Sequence, residues 1–194
     1  YSTLYVLAAN DFYMGNIFQD TVNQIAQLER YNEIPELIVI GVNSDAWYQE
    51  TINNAAQLTV FLTEELPQFM QQQYPLLKEP ILMAHSYAGA YLTQNHHQLT
   101  EKYRQVWAIS PVFPSISFIK QVVENTHTSS LVKLTLYLER GNEFDLNILN
   151  KQLLAKASEL SIQQRIIDNV GHHAVVPVAL TNALKAHFHD YELL

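Results

Sequence analysis

The stretch Pro80-Ile81-Leu82-Met83-Ala84-His85-Ser86-Tyr87-Ala88-Gly89-Ala90 decides how the rest of this chain is read. An apolar run ends on a serine, alanines stand two positions to either side of it, and a helical pattern follows. This is the layout of a nucleophile elbow, G-x-S-x-G between a strand and a helix, with alanine in both glycine positions. The motif needs small residues because the turn is sharp, and a large side chain two residues from the serine would strike the neighbouring backbone. Alanine adds one methyl group, which strains the motif without excluding it. Such a turn exposes the Ser86 hydroxyl and sets the Tyr87 backbone N–H at a helix N-terminus, where it can hold an oxyanion. A serine at an ordinary βα turn can also serve only as a helix cap. The strand before it and the helix after it favour the elbow.

Outward from this point, short apolar runs alternate with longer amphipathic segments, the pattern of βα units around a parallel sheet. Strands are predicted over 4–8, 36–42, 81–85, 105–109, 132–138 and 164–167. Leu37-Ile38-Val39-Ile40 is apolar at successive positions, as suits a strand covered on both faces. Phe18, Val22, Ile25 and Leu28 recur at helical steps and give one apolar face. Further helices are predicted over 61–73, 88–100, 116–125, 146–160 and 175–187, with Pro67 expected to kink or restart the first of these. No repeat, low-complexity tract or linker interrupts the pattern. The expectation is one α/β domain over 1–194, a three-layer α/β/α sandwich with a mostly parallel sheet. In such sheets ligands bind beyond the carboxyl ends of the strands, and the polar, reactive residues gather in the loops that follow them.

A nucleophile elbow carries its partners in the chain order serine, acid, histidine. The last strand–loop–helix contains Asp168-Asn169-Val170-Gly171-His172-His173-Ala174, so the general base is expected there. The acid is expected after the preceding strand, in Glu139-Arg140-Gly141-Asn142-Glu143-Phe144-Asp145. Glu139 stands too close to the strand end and can pair with Arg140, which leaves Glu143 as first choice and Asp145 as second. Either acid could instead serve the first turn of the helix that follows. Phe12, Tyr13, Trp47 and Tyr48 stand near the expected mouth and could line an acyl or aryl pocket, or equally pack as core or lid.

Composition removes several function classes. At 48% hydrophobic and 15% charged, the chain can bury a sizeable core. A net charge of −8 argues against nucleic acid and anionic membranes as partners. With no cysteine there is no disulfide, thiolate metal site or cysteine nucleophile. His96 and His97 are helix neighbours that diverge, and His187 and His189 point to opposite sides of a helix, so no metal site is expected. No apolar run approaches the ~18 residues of a membrane span. No signal peptide is visible, and Tyr1 already reads as the edge of a strand, so residues upstream are expected to be missing together with any targeting signal. The expected state is soluble, cytoplasmic or periplasmic, with no oligomeric state implied.

These residues resemble the esterase D-like family of the α/β-hydrolases, which spans siderophore esterases, feruloyl esterases and mycolyl transferases. Leu4 to Asn10 is similar to the family's strand ending in L-D-G, and Ile34 to Val42 to its I-P-x-hydrophobic-V-G-I strand. Phe61 to Leu66 resembles its F-L-x-E-E-L helix, Ala84 to Gly89 its G-H-S-Y-G-G elbow, Ile109-Ser110-Pro111 its I-S-P, and His172 to Leu180 its H-x-x-V-V-P-x-A-L segment. The resemblance implies an α/β-hydrolase fold and a Ser-His-acid hydrolase that forms an acyl-enzyme on a small-molecule ester without a cofactor. It implies His172 rather than His173 as the base, Glu143 as the acid, and the Asn10 N–H as the second oxyanion donor beside Tyr87. Ala8 and Ala9 replace the family's Asp-Gly, and the chain looks like a member stripped of its N-terminal antiparallel strands. Acyl transfer to another acceptor would use the same residues, and a non-catalytic binding protein on the same fold is the alternative from another class.

Overall fold

A computed structural model describes residues 1–8, 16–75, 77–112, 134–140 and 162–189. Six strands form one sheet: β1 (Ser2–Leu7), β2 (Leu37–Val42), β3 (Lys78–His85), β4 (Gln105–Ile109), β5 (Leu134–Arg140) and β6 (Gln163–Asp168). Their spatial order is β2-β1-β3-β4-β5-β6, and every pairing is parallel. The helices are α1 (Ile17–Arg30), α2 (Trp47–Ile52), α3 (Ala55–Val60), α4 (Leu66–Gln73), α5 (Ser86–Leu99) and α6 (Val175–His187). The predicted helices over 116–125 and 146–160 lie outside the described residues.

Strand alternation builds two cores. Tyr5, Leu7, Leu82, Ala84, Val106, Ala108, Leu136 and Leu138 face α2 to α5. Leu4, Val6, Ile81, Met83, Trp107, Ile109 and Tyr137 face α1 and α6. The central strands are therefore apolar at consecutive positions, whereas β2 and β6 at the edges are half exposed. This is the three-layer α/β/α arrangement with a parallel sheet. α1 buries Ile17, Thr21, Ile25 and Leu28, a face rotated slightly from the predicted one, with Phe18 and Val22 half-buried at its border.

Pro67 stands in the first turn of α4, the restart expected of it. The backbone stays helical from α3 into α4 through a π-helical turn over Phe61–Glu65, in which the Leu66 N–H donates to the Phe61 carbonyl. The wider turn moves the ladder out of register, and Pro67 has no N–H with which to serve the Leu62 carbonyl. The Tyr103 hydroxyl donates to that carbonyl at 2.9 Å. Beyond β2 the chain enters α2 at Trp47, which is buried, its Nε1–H donating to Asn43 Oδ1 at 3.2 Å.

Candidate active site

All parallel strands point the same way, so their carboxyl ends share one edge of the sheet, and β3 to β6 deliver the site there. Ser86 is the first residue of α5, directly after β3, with φ of 58°. A left-handed backbone at a non-glycine residue costs of the order of 1–3 kcal/mol and is held only by tight surroundings. Those surroundings are visible. Ala84 and Ala88 are both buried, and the Ser86 carbonyl accepts the Val112 N–H at 3.1 Å. A Cβ on Gly89 would lie 3.2 Å from the carbonyl oxygens of both Ala84 and Ile109, so the one glycine of the elbow is what seats α5 against β3 and β4.

His172 stands in the loop between β6 and α6. Its Nε2 is 3.1 Å from Ser86 Oγ. The His172 carbonyl accepts the Nε2–H of His85, the residue before the serine, at 2.8 Å, and the two rings lie 4.5 Å apart. Burial and the neighbouring His172 push the His85 pKa down to about 3, so His85 stays neutral and acts as a fixed donor. His173 has its ring 5.4 Å from that of His172 and makes no described hydrogen bond to Ser86.

The carboxylate beside His172 is Glu139. Its Oε1 lies 3.3 Å from His172 Nδ1 and accepts the Ser110 hydroxyl at 2.6 Å. The strand runs on to Arg140, so Glu139 belongs to β5 and does not merely border it. Strand alternation then puts it on the same face as Tyr137, the α6 face, where the His172 loop lies. Register completes the placement, because Glu139 pairs with Ile167 at the end of β6, just before that loop. Burial pushes the Glu139 carboxyl up, but hydrogen bonds from His172 and Ser110 outweigh it and hold the pKa below the ordinary value. Glu143 and Asp145, preferred on sequence grounds, lie outside the described residues.

Ser110 is the first residue after β4. Its φ is 43°, its N–H donates to the Tyr137 carbonyl at 2.7 Å, and its Oγ lies 2.5 Å from His172 Nδ1. Sequence reasoning noted Ile109-Ser110-Pro111 and the His85-Ser86 pair as motifs but gave neither Ser110 nor His85 a role. Nothing local distinguishes them, since their partners lie 62 and 87 residues away.

Tyr87 follows Ser86 in the first turn of α5, and the N–H groups of a first helical turn lack intrahelical acceptors. Its exposed ring packs edge-on against Tyr48 at 5.5 Å. A small cavity of about 30 Å³ beside Ser86 is walled by Ala8, Ile17, Trp47, Tyr48, Thr51 and Tyr87. Asn10, Phe12 and Tyr13 lie outside the described residues. A larger cavity of about 220 Å³, around Thr3, Tyr5, Met70, Tyr74 and Lys78, opens at the opposite end of the sheet, away from these groups. Among the described residues no three His, Asp or Glu side chains are grouped to hold a metal ion, and no helix is long and apolar enough to cross a membrane.

A parallel six-stranded sheet between two helical layers, with a strained serine at the turn from its third strand into a helix, is the architecture of the α/β-hydrolase fold. Solved structures agree. An IroE-like serine hydrolase from Shewanella oneidensis superposes with a TM-score of 0.78 at 15% identity, covering 100% of this chain and 72% of that one. The siderophore hydrolase EstB from Aspergillus nidulans gives 0.74 at 13% identity, over 99% of this chain and 84% of its own. A ferulic acid esterase gives 0.62 at 14% identity, over 98% and 84%. At such identities the likeness establishes the fold. No family model and no curated protein matches the sequence.

Proposed function

We propose that this chain is a serine hydrolase of small carboxylic esters, with Ser86 as nucleophile, His172 as general base and Glu139 as the acid that orients it. The observation that carries this reading is the line from Ser86 Oγ to His172 Nε2 at 3.1 Å and from His172 Nδ1 to Glu139 Oε1 at 3.3 Å, built on a strained strand-to-helix turn. A serine hydroxyl is a weak nucleophile until a base takes its proton as it attacks. With a proton on Nδ1, the bare Nε2 faces the hydroxyl in the tautomer a base requires.

Ser86 Oγ attacks the ester carbonyl while its proton passes to Nε2. The imidazolium then gives that proton to the leaving alcohol, and an acyl-enzyme remains. Water repeats the sequence and frees the acid. The developing oxyanion is assigned to the Tyr87 N–H at the start of α5, with the Asn10 N–H as second donor, each worth roughly 3 kcal/mol in such sites. Trp47 and Tyr48 are assigned to the wall of the acyl pocket. The names of the structural neighbours, two hydrolases and an esterase, support the same reading.

The test is hydrolysis of short-chain nitrophenyl esters together with labelling by a fluorophosphonate. Wild type is expected to turn over and to label, and Ser86→Ala to lose about 10⁶-fold in kcat and all labelling. Equal rates for the two proteins, with neither labelled, would refute the assignment.

A further inference from the structure

The direct contact between His172 and Glu139 is long for a hydrogen bond: 3.3 Å, against the usual 2.7–3.2 Å for N–H···O. Ser110 Oγ is closer to both partners, 2.5 Å from His172 Nδ1 and 2.6 Å from Glu139 Oε1. A hydroxyl has one proton, and an ionised carboxylate can only accept. The Ser110 O–H therefore donates to Glu139, which leaves a lone pair on Oγ facing Nδ1–H. The imidazole in turn donates mainly to the serine, with Glu139 as a weaker second acceptor.

Resting on the Ser-His-acid reading above, we infer that Ser110 is a positioning residue that links His172 to Glu139, so that the acid acts on the histidine largely through a second serine. The chain of groups runs Ser86 Oγ–H to His172 Nε2, His172 Nδ1–H to Ser110 Oγ, and Ser110 Oγ–H to Glu139 Oε1. No proton moves along its second half during turnover. The Nδ1 proton stays in place while Nε2 gains and loses one, and the polarised hydroxyl carries the stabilising influence of the carboxylate to the imidazolium.

The backbone argues for a dedicated role. Ser110 is buried and sits at φ 43°, a conformation that glycine would adopt without strain. Its N–H is fixed to the Tyr137 carbonyl, two residues before Glu139, and Pro111 follows. β4 and β5 thus set the hydroxyl and the carboxylate in one rigid frame. An ordinary turn at this place would carry glycine, and the side chain is the gain that offsets the strain.

That conformation supplies the experiment, because Ser110→Gly removes the hydroxyl while suiting the backbone, and Ser110→Ala removes it at unchanged strain. Both are expected to lower kcat about 10- to 100-fold, the worth of one hydrogen bond to a charged group, with KM within about twofold of wild type. The second readout is the imidazole Nδ1–H proton resonance of the resting protein, assigned by its absence in His172→Gln. It is expected at low field in wild type and in Ser86→Ala, and shifted upfield in both Ser110 variants. A wild type without this resonance, or a resonance unmoved by Ser110→Gly, overturns the proposal whatever kcat does. Because it is read without turnover, a shifted resonance supports the link even if no ester is hydrolysed. Failure of Ser86→Ala to lower turnover would instead overturn the esterase reading alone.

Discussion

Replacing Glu139 with glutamine keeps the shape of the side chain and its capacity to accept from Ser110, and removes only the charge. The magnitude follows from the geometry. A carboxylate oxygen 3.3 Å from the imidazole nitrogen attracts a unit positive charge by about 5 kcal/mol at an effective dielectric of about 20. Screening is limited, because the side chains of His172 and Glu139 are only 21% and 9% exposed. In the proposed reaction this attraction acts on the imidazolium formed as Ser86 attacks. The loss therefore falls on the transition state. Glutamine retains an oxygen dipole toward the same groups, so about 4 kcal/mol is the expected net loss, roughly 10³-fold in kcat with KM little changed. Steady-state hydrolysis of a short-chain nitrophenyl ester by Glu139→Gln and wild type measures it directly. A Glu139→Gln enzyme within threefold of wild type would refute the reasoning. Loss of turnover in Glu143→Gln or Asp145→Asn beside it would move the acid into the following loop.

His85, held neutral down to about pH 3, resists protonation that its unfolded form accepts near 6.5, so the contribution it makes at neutral pH is lost as pH falls from about 6.5 toward 3. His85→Phe cannot titrate, and chemical denaturation at several pH values is expected to show a stability slope in that window smaller by up to about 1.4 kcal/mol per pH unit; an unchanged slope would exclude His85 as the responsible group. Glu139 acts in the same direction at lower pH: its depressed carboxyl stabilises the fold above the ordinary range near 4.5, and this is lost as pH falls through its lower folded value. The stability gap between wild type and Glu139→Gln is therefore expected to be widest at neutral pH and to close in acid, as followed by thermal unfolding. Gly89→Ala would normally gain up to about 1 kcal/mol within a helix, but here its Cβ would crowd two carbonyl oxygens at 3.2 Å, and a net loss of about 1–2 kcal/mol is expected. Thermal unfolding would read this as a Tm lower by several degrees, and a Tm above wild type would contradict the seating of α5 described above.

Much of the frame was legible because it is written locally. A strand covered on both faces must be apolar at successive positions, and a helix on a sheet must repeat its apolar residues at three and four; β1, β3, β4 and α1 satisfy these rules, whereas the apolar run of β2 lies on an edge strand that stays half exposed. Pro67 marked a disturbance correctly, but the remedy could not be read from the segment. The π turn leaves the Leu62 carbonyl to a tyrosine 41 residues away. The chain beyond β2 turns into α2 at Trp47, where burial of Trp47 and Thr51 favours a helix.

Ser86 and His172 were nominated by short-range signals: small residues around a serine after a strand, and a histidine after the last strand. The sequence by itself determined which loops carry reactive groups, since the parallel sheet puts all strand ends on one edge. Which carboxylate meets the histidine was decided only by tertiary structure. That answer depends on where β5 stops, on which face Glu139 takes, and on the register that sets it opposite Ile167. A shift of one residue along a strand turns a side chain to the other face of the sheet, and no local pattern around residues 139–145 resolves a difference so small. Ser110 shows the same limit more sharply. Its identity is plain in the sequence, but the hydroxyl acquires a role only where two neighbouring strands bring a carboxylate and an imidazole within reach of one oxygen.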